Sequence, residues 1–160
     1  MKIFLDTAVV EDINRRHHGL IDGVTTNPTL IAKSGRTPHE VYQEIFDLGI
    51  KDLSIEVQGQ YFDELIAHGL SMIETYGDRA TIKLPCTPDG LKACKYLESR
   101  GVRVNMTLVF SVSQAILCSL AGATYVSPFV GRLDDNGHNG IELIRDIARV
   151  FMIHRSETRI

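Results

Sequence analysis

The chain has 160 residues, 44% of them hydrophobic and 23% charged, with a formal net charge of −3. That is enough apolar material for one sizeable core, and a balance so near neutral leaves no electrostatic footprint for nucleic acid or an anionic membrane surface. No apolar run approaches the roughly 18 residues of a membrane span, and Met1-Lys2-Ile3-Phe4-Leu5 meets Asp6 before a signal-peptide layout can develop.

Short β-type runs alternate with longer helical stretches, at 2–6, 23–27, 53–58, 80–85, 103–109 and 125–130. Their starts are about 20 to 30 residues apart, the length of a strand plus a crossover helix. Between them, Thr37-Pro38-His39-Glu40 offers a capping box with proline at the first helical position. Thr87-Pro88 repeats the cap-plus-proline device, and Gly101 stops that helix. Ser111-Val112-Ser113-Gln114 is a third capping signal, and Asn136-Gly137-His138-Asn139-Gly140 a turn before the last helix. In that helix Ile141, Ile144, Ile147 and Phe151 fall on one face. No linker or low-complexity segment interrupts the pattern, so residues 1–160 are expected to form a single domain.

Alternation of this kind implies a parallel sheet covered by helices. Strand parity is more informative. One phase is aliphatic: Ile3 and Leu5, then Leu53, Ile55 and Val57, Ile82 and Leu84, Val104, Met106 and Leu108, Val126 and Val130. The opposite phase carries Asp6, Thr25, Asn27, Ser54, Glu56, Gln58, Thr81, Lys83, Asn105, Thr107, Ser127 and Phe129. A doubly wound sheet would bury that polar set under helices without reason, whereas a (β/α)8 barrel turns it into the lumen, where such barrels keep their catalytic groups. The fold expected is therefore a (β/α)8 barrel of TIM type. Six strands are read where a closed barrel has eight, and Arg159-Ile160 reads as the opening of a seventh. The barrel is thus expected to be incomplete after the sixth βα unit. Closure by a partner chain, or an open sheet whose edges invite association, would make the protein a homo-oligomer.

Lys83 lies between Ile82 and Leu84, a costly place for an ammonium group. It either snorkels to a surface or serves as an amine for chemistry. On its parity stand two carboxylates (Asp6 and Glu56), two amides (Asn27 and Asn105) and two hydroxyls (Thr107 and Ser127). An amine can attack a ketone to form a Schiff base, and two separate carboxylates suit the proton transfers of dehydration and carbon–carbon cleavage. Amides and hydroxyls can hold sugar hydroxyl groups. The bland alternative is a buried ion pair with polar packing around it, which is the better reading of any one residue and the weaker reading of the set.

Asp6-Thr7, Gly23-Val24-Thr25-Thr26-Asn27-Pro28, Lys83-Leu84-Pro85 and Ser127-Pro128-Phe129-Val130-Gly131-Arg132 resemble the transaldolase family in its short form, which also includes the fructose-6-phosphate aldolases. The resemblance runs the length of the chain. It implies a cofactor-free class I mechanism acting on sugar phosphates in the pentose phosphate pathway. By that resemblance Lys83 forms the Schiff base with C2 of a ketose phosphate, and Asp6 takes the C4 hydroxyl proton. Glu56, through a water and with Thr107, serves imine formation and hydrolysis. Thr26, Asn27, Asn105 and Ser127 bind the retained three-carbon unit beside Phe129, and Arg132 holds the phosphate. The bland reading of Arg132 is a surface arginine beside Asp134 and Asp135. Sequences similar to the aldolases carry a glutamine at the position of Glu56 and a tyrosine at that of Phe129, so these two residues point to the transferase. A lyase, or a catalytically silent fragment that associates with other chains, is the competing reading.

Cys86, Cys94 and Cys118 are odd in number and at no metal-ligand spacing, and are expected as reduced core or near-core thiols of a cytoplasmic protein. His17, His18, His39, His68, His138 and His154 likewise follow no metal-ligand spacing.

Overall fold

A computed structural model describes residues 2–17 and 19–160; the reading of His18 lies outside the described residues. Six strands are ordered β1-β2-β3-β4-β5-β6 in the sheet, the same order as in the chain. That order separates the fold from a doubly wound sheet, in which the chain reverses direction and leaves β1 in the interior. It is the α/β topology of a (β/α) barrel carried through six strands. The chain divides into two compact units, Met1–Glu56 with Leu70–Ile82, and Val57–Gly69 with Lys83–Ile160.

The first unit contains β1 (Phe4–Asp6), α1 (Val10–His17), β2 (Gly23–Thr25), α2 (Pro28–Ser34), α3 (Pro38–Asp47), β3 (Leu53–Glu56), the end of α4 (Phe62–Tyr76), a 3-10 turn at Gly77–Arg79 and the start of β4 (Ala80–Pro85). β1 runs parallel to β2 with Leu5 opposite Val24 and Asp6 opposite Thr25, and β2 parallel to β3 with Thr25 opposite Ser54. Gly23 is required where it stands, because a Cβ would lie 2.3 Å from the Phe4 ring and 2.4 Å from the Asp52 carbonyl oxygen. The capping box forms as expected: Thr37 Oγ1 accepts from the Glu40 N–H, and Glu40 Oε2 accepts from the Thr37 N–H at 2.9 Å. It starts a helix whose Val41, Tyr42, Ile45 and Phe46 are buried against Val24, Ile31, Leu53 and Ile55. Each aliphatic side chain so buried stabilises by roughly 1.5–3 kcal/mol. Asp52, 2% exposed, accepts from the Thr81 hydroxyl at 2.7 Å, so Thr81 serves the packing of this unit.

The second unit contains the end of β4, α5 (Pro88–Glu98), β5 (Val104–Val109), α6 (Val112–Leu120), β6 (Tyr125–Pro128), α7 (Val130–Asp135) and α8 (Gly140–Ile153). Thr87 caps α5 by accepting from the Gly90 N–H at 3.1 Å. At Gly90 the helix passes so close to β4 that a Cβ would meet the Pro85 carbonyl oxygen at 2.0 Å. Ser111 caps α6 through the Gln114 N–H, but the Gln114 side chain takes the Phe110 N–H rather than that of Ser111, so the box is half reciprocal. Arg159 pairs in parallel with Tyr125, donating its N–H to the Thr124 carbonyl and accepting from the Val126 N–H at 2.8 Å. The seventh-strand reading of Arg159 is therefore matched by a single bridge.

The structure corrects the aliphatic phase at its ends. Ile3 is 46% exposed, and Val130 belongs to α7, because the chain leaves β6 after Pro128. Ile141 is 53% exposed, so the buried face of α8 narrows to Ile147 and Phe151. Leu108 is 42% exposed with φ of 59°, and Val109 is fully buried in its stead. The reason is a bulge: Met106 pairs with Val126 and Val109 with Pro128, so β5 carries one more residue than β6 over the same span. The extra residue reverses the parity beyond it.

Glu98 ties this unit together. Its Oε1 accepts from the Val104 N–H at 2.8 Å, the Thr124 N–H at 2.8 Å and the Thr124 hydroxyl at 2.7 Å, so one carboxylate on α5 holds the starts of β5 and β6. Glu98→Ala should cost about 3 kcal/mol by stranding two backbone donors, a fall of roughly 6–12 °C in thermal midpoint. Glu98→Gln keeps a carbonyl oxygen for those donors and should lose less than half of that. Calorimetry on the two variants checks the ranking.

Candidate active site

The first unit carries Asp6, Thr26, Asn27 and Glu56 at or just beyond the C-terminal ends of β1, β2 and β3. Asp6 is exposed and Glu56 half-buried. Asn27 is the cap of α2: its Oδ1 accepts from the Leu30 N–H at 2.9 Å, and Pro28 follows at the first helical position. The Asn-Pro pair therefore anchors its amide at a helix start while keeping it half-buried at the strand end. Thr26 is fully buried, and its Oγ1 donates to the Ser54 carbonyl at 3.3 Å.

Tyr42 was not singled out from the sequence, yet it stands behind this strand end. Its hydroxyl is hydrogen-bonded to Thr26, and burial pushes its pKa up to about 12. Its ring meets Tyr76 edge-on at 5.8 Å, and the Tyr76 hydroxyl lies 2.8 Å from His39 Nδ1. The only signal in the sequence is a hydroxyl-bearing aromatic on the otherwise apolar face of α3.

The second unit carries Lys83, Asn105, Thr107, Ser127, Phe129 and Arg132. Lys83 is 6% exposed, so it does not snorkel to solvent. Asn105, on β5, accepts through Oδ1 from the Ser127 hydroxyl of β6 at 2.8 Å, so these two predicted residues are brought together. Thr107 is 2% exposed, and its Oγ1 is a buried oxygen with no hydrogen-bond partner among the described residues. An unsatisfied buried hydroxyl costs roughly 1–3 kcal/mol. Such groups are rare enough in native structures to call for an explanation. The next residue is Leu108, whose left-handed backbone adds roughly 1–2 kcal/mol of strain. The β5 bulge thus places two locally unfavourable features side by side, in the strand that carries two of the predicted residues. Bulges beside active sites re-aim side chains in this way.

Phe129 follows β6 at the N-cap of α7, and its ring packs edge-on against Phe110 at 5.4 Å. Arg132 is exposed on α7. Among the described residues no three His, Cys, Asp or Glu side chains are grouped to hold a metal ion, and no helix is long and apolar enough to cross a membrane.

The comparisons with known proteins bear on the same strands. The profile of the "Transaldolase/Fructose-6-phosphate aldolase" family matches residues 3–160. A probable transaldolase of Nitrosopumilus maritimus is 49% identical over 152 residues, covering 94% of this chain and 68% of that protein. A probable transaldolase of Symbiobacterium thermophilum is 48% identical over 161 residues, covering 100% of this chain and 74% of that protein. One from Brucella ovis is 50% identical over 152 residues, 94% of this chain and 70% of the relative.

Proposed function

Because the chain belongs to the transaldolase/fructose-6-phosphate aldolase family, we propose that it is a class I transaldolase that transfers a dihydroxyacetone unit from a ketose phosphate to an aldose phosphate. The observation that carries this reading is the burial of Lys83 in β4, together with an unsatisfied buried hydroxyl at Thr107. A surface lysine would reach solvent with its ammonium, a buried charge partner is the structural alternative that the trapping experiment tests, and a purely structural threonine would hydrogen-bond its hydroxyl.

In the proposed reaction the Lys83 amine attacks C2 of the ketose, and loss of water from the carbinolamine gives an iminium ion. Asp6 accepts the C4 hydroxyl proton as the C3–C4 bond breaks, and the bonding electrons pass into the iminium to leave an enamine on Lys83. The first aldose departs, the enamine attacks the aldehyde of the second, and hydrolysis frees Lys83. Glu56 and Thr107 share the water that serves the proton transfers of imine formation and hydrolysis. Asn27, Asn105 and Ser127 hold the hydroxyls of the three-carbon unit, and Thr26 sets the end of β2 from which Asn27 projects. Arg132 takes the phosphate, as a permanent cation with a planar fork of donors suited to that group. The chemistry so written needs no cofactor.

Borohydride reduction in the presence of fructose 6-phosphate should leave a three-carbon adduct on Lys83, read by peptide mass spectrometry. An adduct on another lysine, or none, overturns the assignment. Phe129 presents no hydroxyl that could activate water against the enamine, so turnover should require an acceptor aldose. Phe129→Tyr is expected to raise the release of free dihydroxyacetone relative to transfer, measured by comparing rates with and without acceptor. Equal rates in the unaltered protein would favour the lyase instead.

A further inference from the structure

Two of the three thiols meet. Cys118 on α6 donates its S–H to Cys86 Sγ at 3.5 Å, across 32 positions of sequence. All three cysteines are free. Cys118 is fully buried, whereas Cys86 is half-buried and immediately follows the Lys83-Leu84-Pro85 segment of β4. The Cys86 N–H is bonded to the Thr107 carbonyl at 2.9 Å, which fixes the backbone from which this thiol projects. Cys94 is fully buried and its thiol is directed at the Ala121 carbonyl, 3.8 Å away.

We propose that Cys86 and Cys118 form an oxidation site whose substrate is a peroxide and whose product is an intrachain disulfide joining the end of β4 to α6. A sulfur–sulfur separation of 3.5 Å is van der Waals contact, and a movement of about 1.5 Å brings it to bonding distance. The difference in exposure orders the steps. Cys86, as thiolate, attacks one oxygen of hydrogen peroxide; the O–O bond breaks, Cys86 becomes a sulfenic acid, and the departing hydroxide takes up a proton as water. Cys118 then gives up its proton and attacks the Cys86 sulfur; the S–O bond breaks and the second hydroxide leaves as water with that proton. Two thiols and one peroxide yield one disulfide and two waters, the thiols having lost two electrons. Burial, and then the neighbouring Cys86, push the Cys118 thiol up, so it stays protonated until the sulfenic acid forms beside it. Burial likewise pushes Cys94 up to about 12, and its thiol is turned elsewhere.

The test uses the full chain, reduced and then treated with equimolar hydrogen peroxide. Thiols remaining after denaturation are alkylated, and peptides are mapped by mass spectrometry. The expected product is two hydrogen atoms lighter, takes one alkyl group, on Cys94, and yields a peptide pair linked through Cys86 and Cys118 that dithiothreitol separates. A dimedone-trapped sulfenic acid should accumulate at Cys86 in Cys118→Ser, and Cys94→Ser should close as fast as the unaltered chain. Cys86 passing to sulfinic acid while Cys118 stays alkylatable would overturn the proposal, as would a link through Cys94 or between chains. The mapping of the unaltered protein decides even where a variant does not fold. None of these readouts depends on the proposed transaldolase activity.

Discussion

Lys83→Met and Lys83→Arg are both expected to abolish the borohydride-trapped adduct and to lower turnover by at least about 10³-fold, as removal of a covalent nucleophile does. The pair is chosen to separate two roles for a buried lysine. Lys83 is 6% exposed and has an interaction partner, so part of its work is to sit in a polar setting within an apolar strand. Arginine keeps the positive charge and the donors such a partner needs, but its guanidinium does not lose a proton in a protein and is no nucleophile. Methionine keeps the length of the stem and gives up the charge. If the role is chemical, both variants fail alike while far-ultraviolet circular dichroism stays that of the parent. If Lys83→Arg keeps turnover within tenfold, Lys83 is a charge partner and the Schiff-base reading fails. A variant that unfolds is identified by the same spectrum and replaced by Lys83→Gln.

What the sequence displays most plainly is what depends on neighbours in the chain. The caps at Thr37, Thr87 and Ser111 all form, because a cap is settled within four residues. The β4 run was legible to the residue, being bounded by a turn and by Pro85. The parity of Leu53, Ile55, Ile82, Leu84, Val104 and Met106 was legible too, since each alternates regularly and all are buried. Alternation broke down where a partner strand intervenes. Nothing within Val104–Phe110 announces that β6 will pair with one residue fewer, so the reversal at Leu108 is invisible until both strands are placed. The roles of Glu98 and Asp52 are illegible in the sequence for the same reason. Thr124 and Thr81, which donate to them, lie 26 and 29 positions away, and an acidic residue near a helix end or a strand start reads as solvated. Tyr42 likewise gains its meaning from Thr26, on another element. Motif and local roles also overlap. Asn27 was singled out for chemistry, and its placement comes from an ordinary helix cap that holds the amide at the strand end.

The second large effect is expected at Thr107. Thr107→Val should raise stability by about 1 kcal/mol, or roughly 2–4 °C in thermal midpoint, and at the same time lower turnover by roughly 10²-fold. The two signs follow from one observation. The Thr107 hydroxyl is buried and has no hydrogen-bond partner among the described residues, so the fold bears its desolvation without return. Valine has nearly the same shape and removes the polar atom, which relieves that cost without opening a cavity. The backbone of the bulge is untouched, so Leu108 keeps its conformation and the Cys86 N–H keeps the Thr107 carbonyl. If the hydroxyl serves the water shared with Glu56, its loss falls on the steps in which water is expelled or added. It should therefore appear in kcat, with the KM for the ketose phosphate changed less than threefold. Thr107→Ser, which retains the hydroxyl and drops the methyl, should recover most of the rate while losing stability to the small cavity it leaves. A variant series in which valine destabilises and serine stabilises would mean that the hydroxyl has a structural partner. Unchanged turnover in Thr107→Val would remove Thr107 from the chemistry.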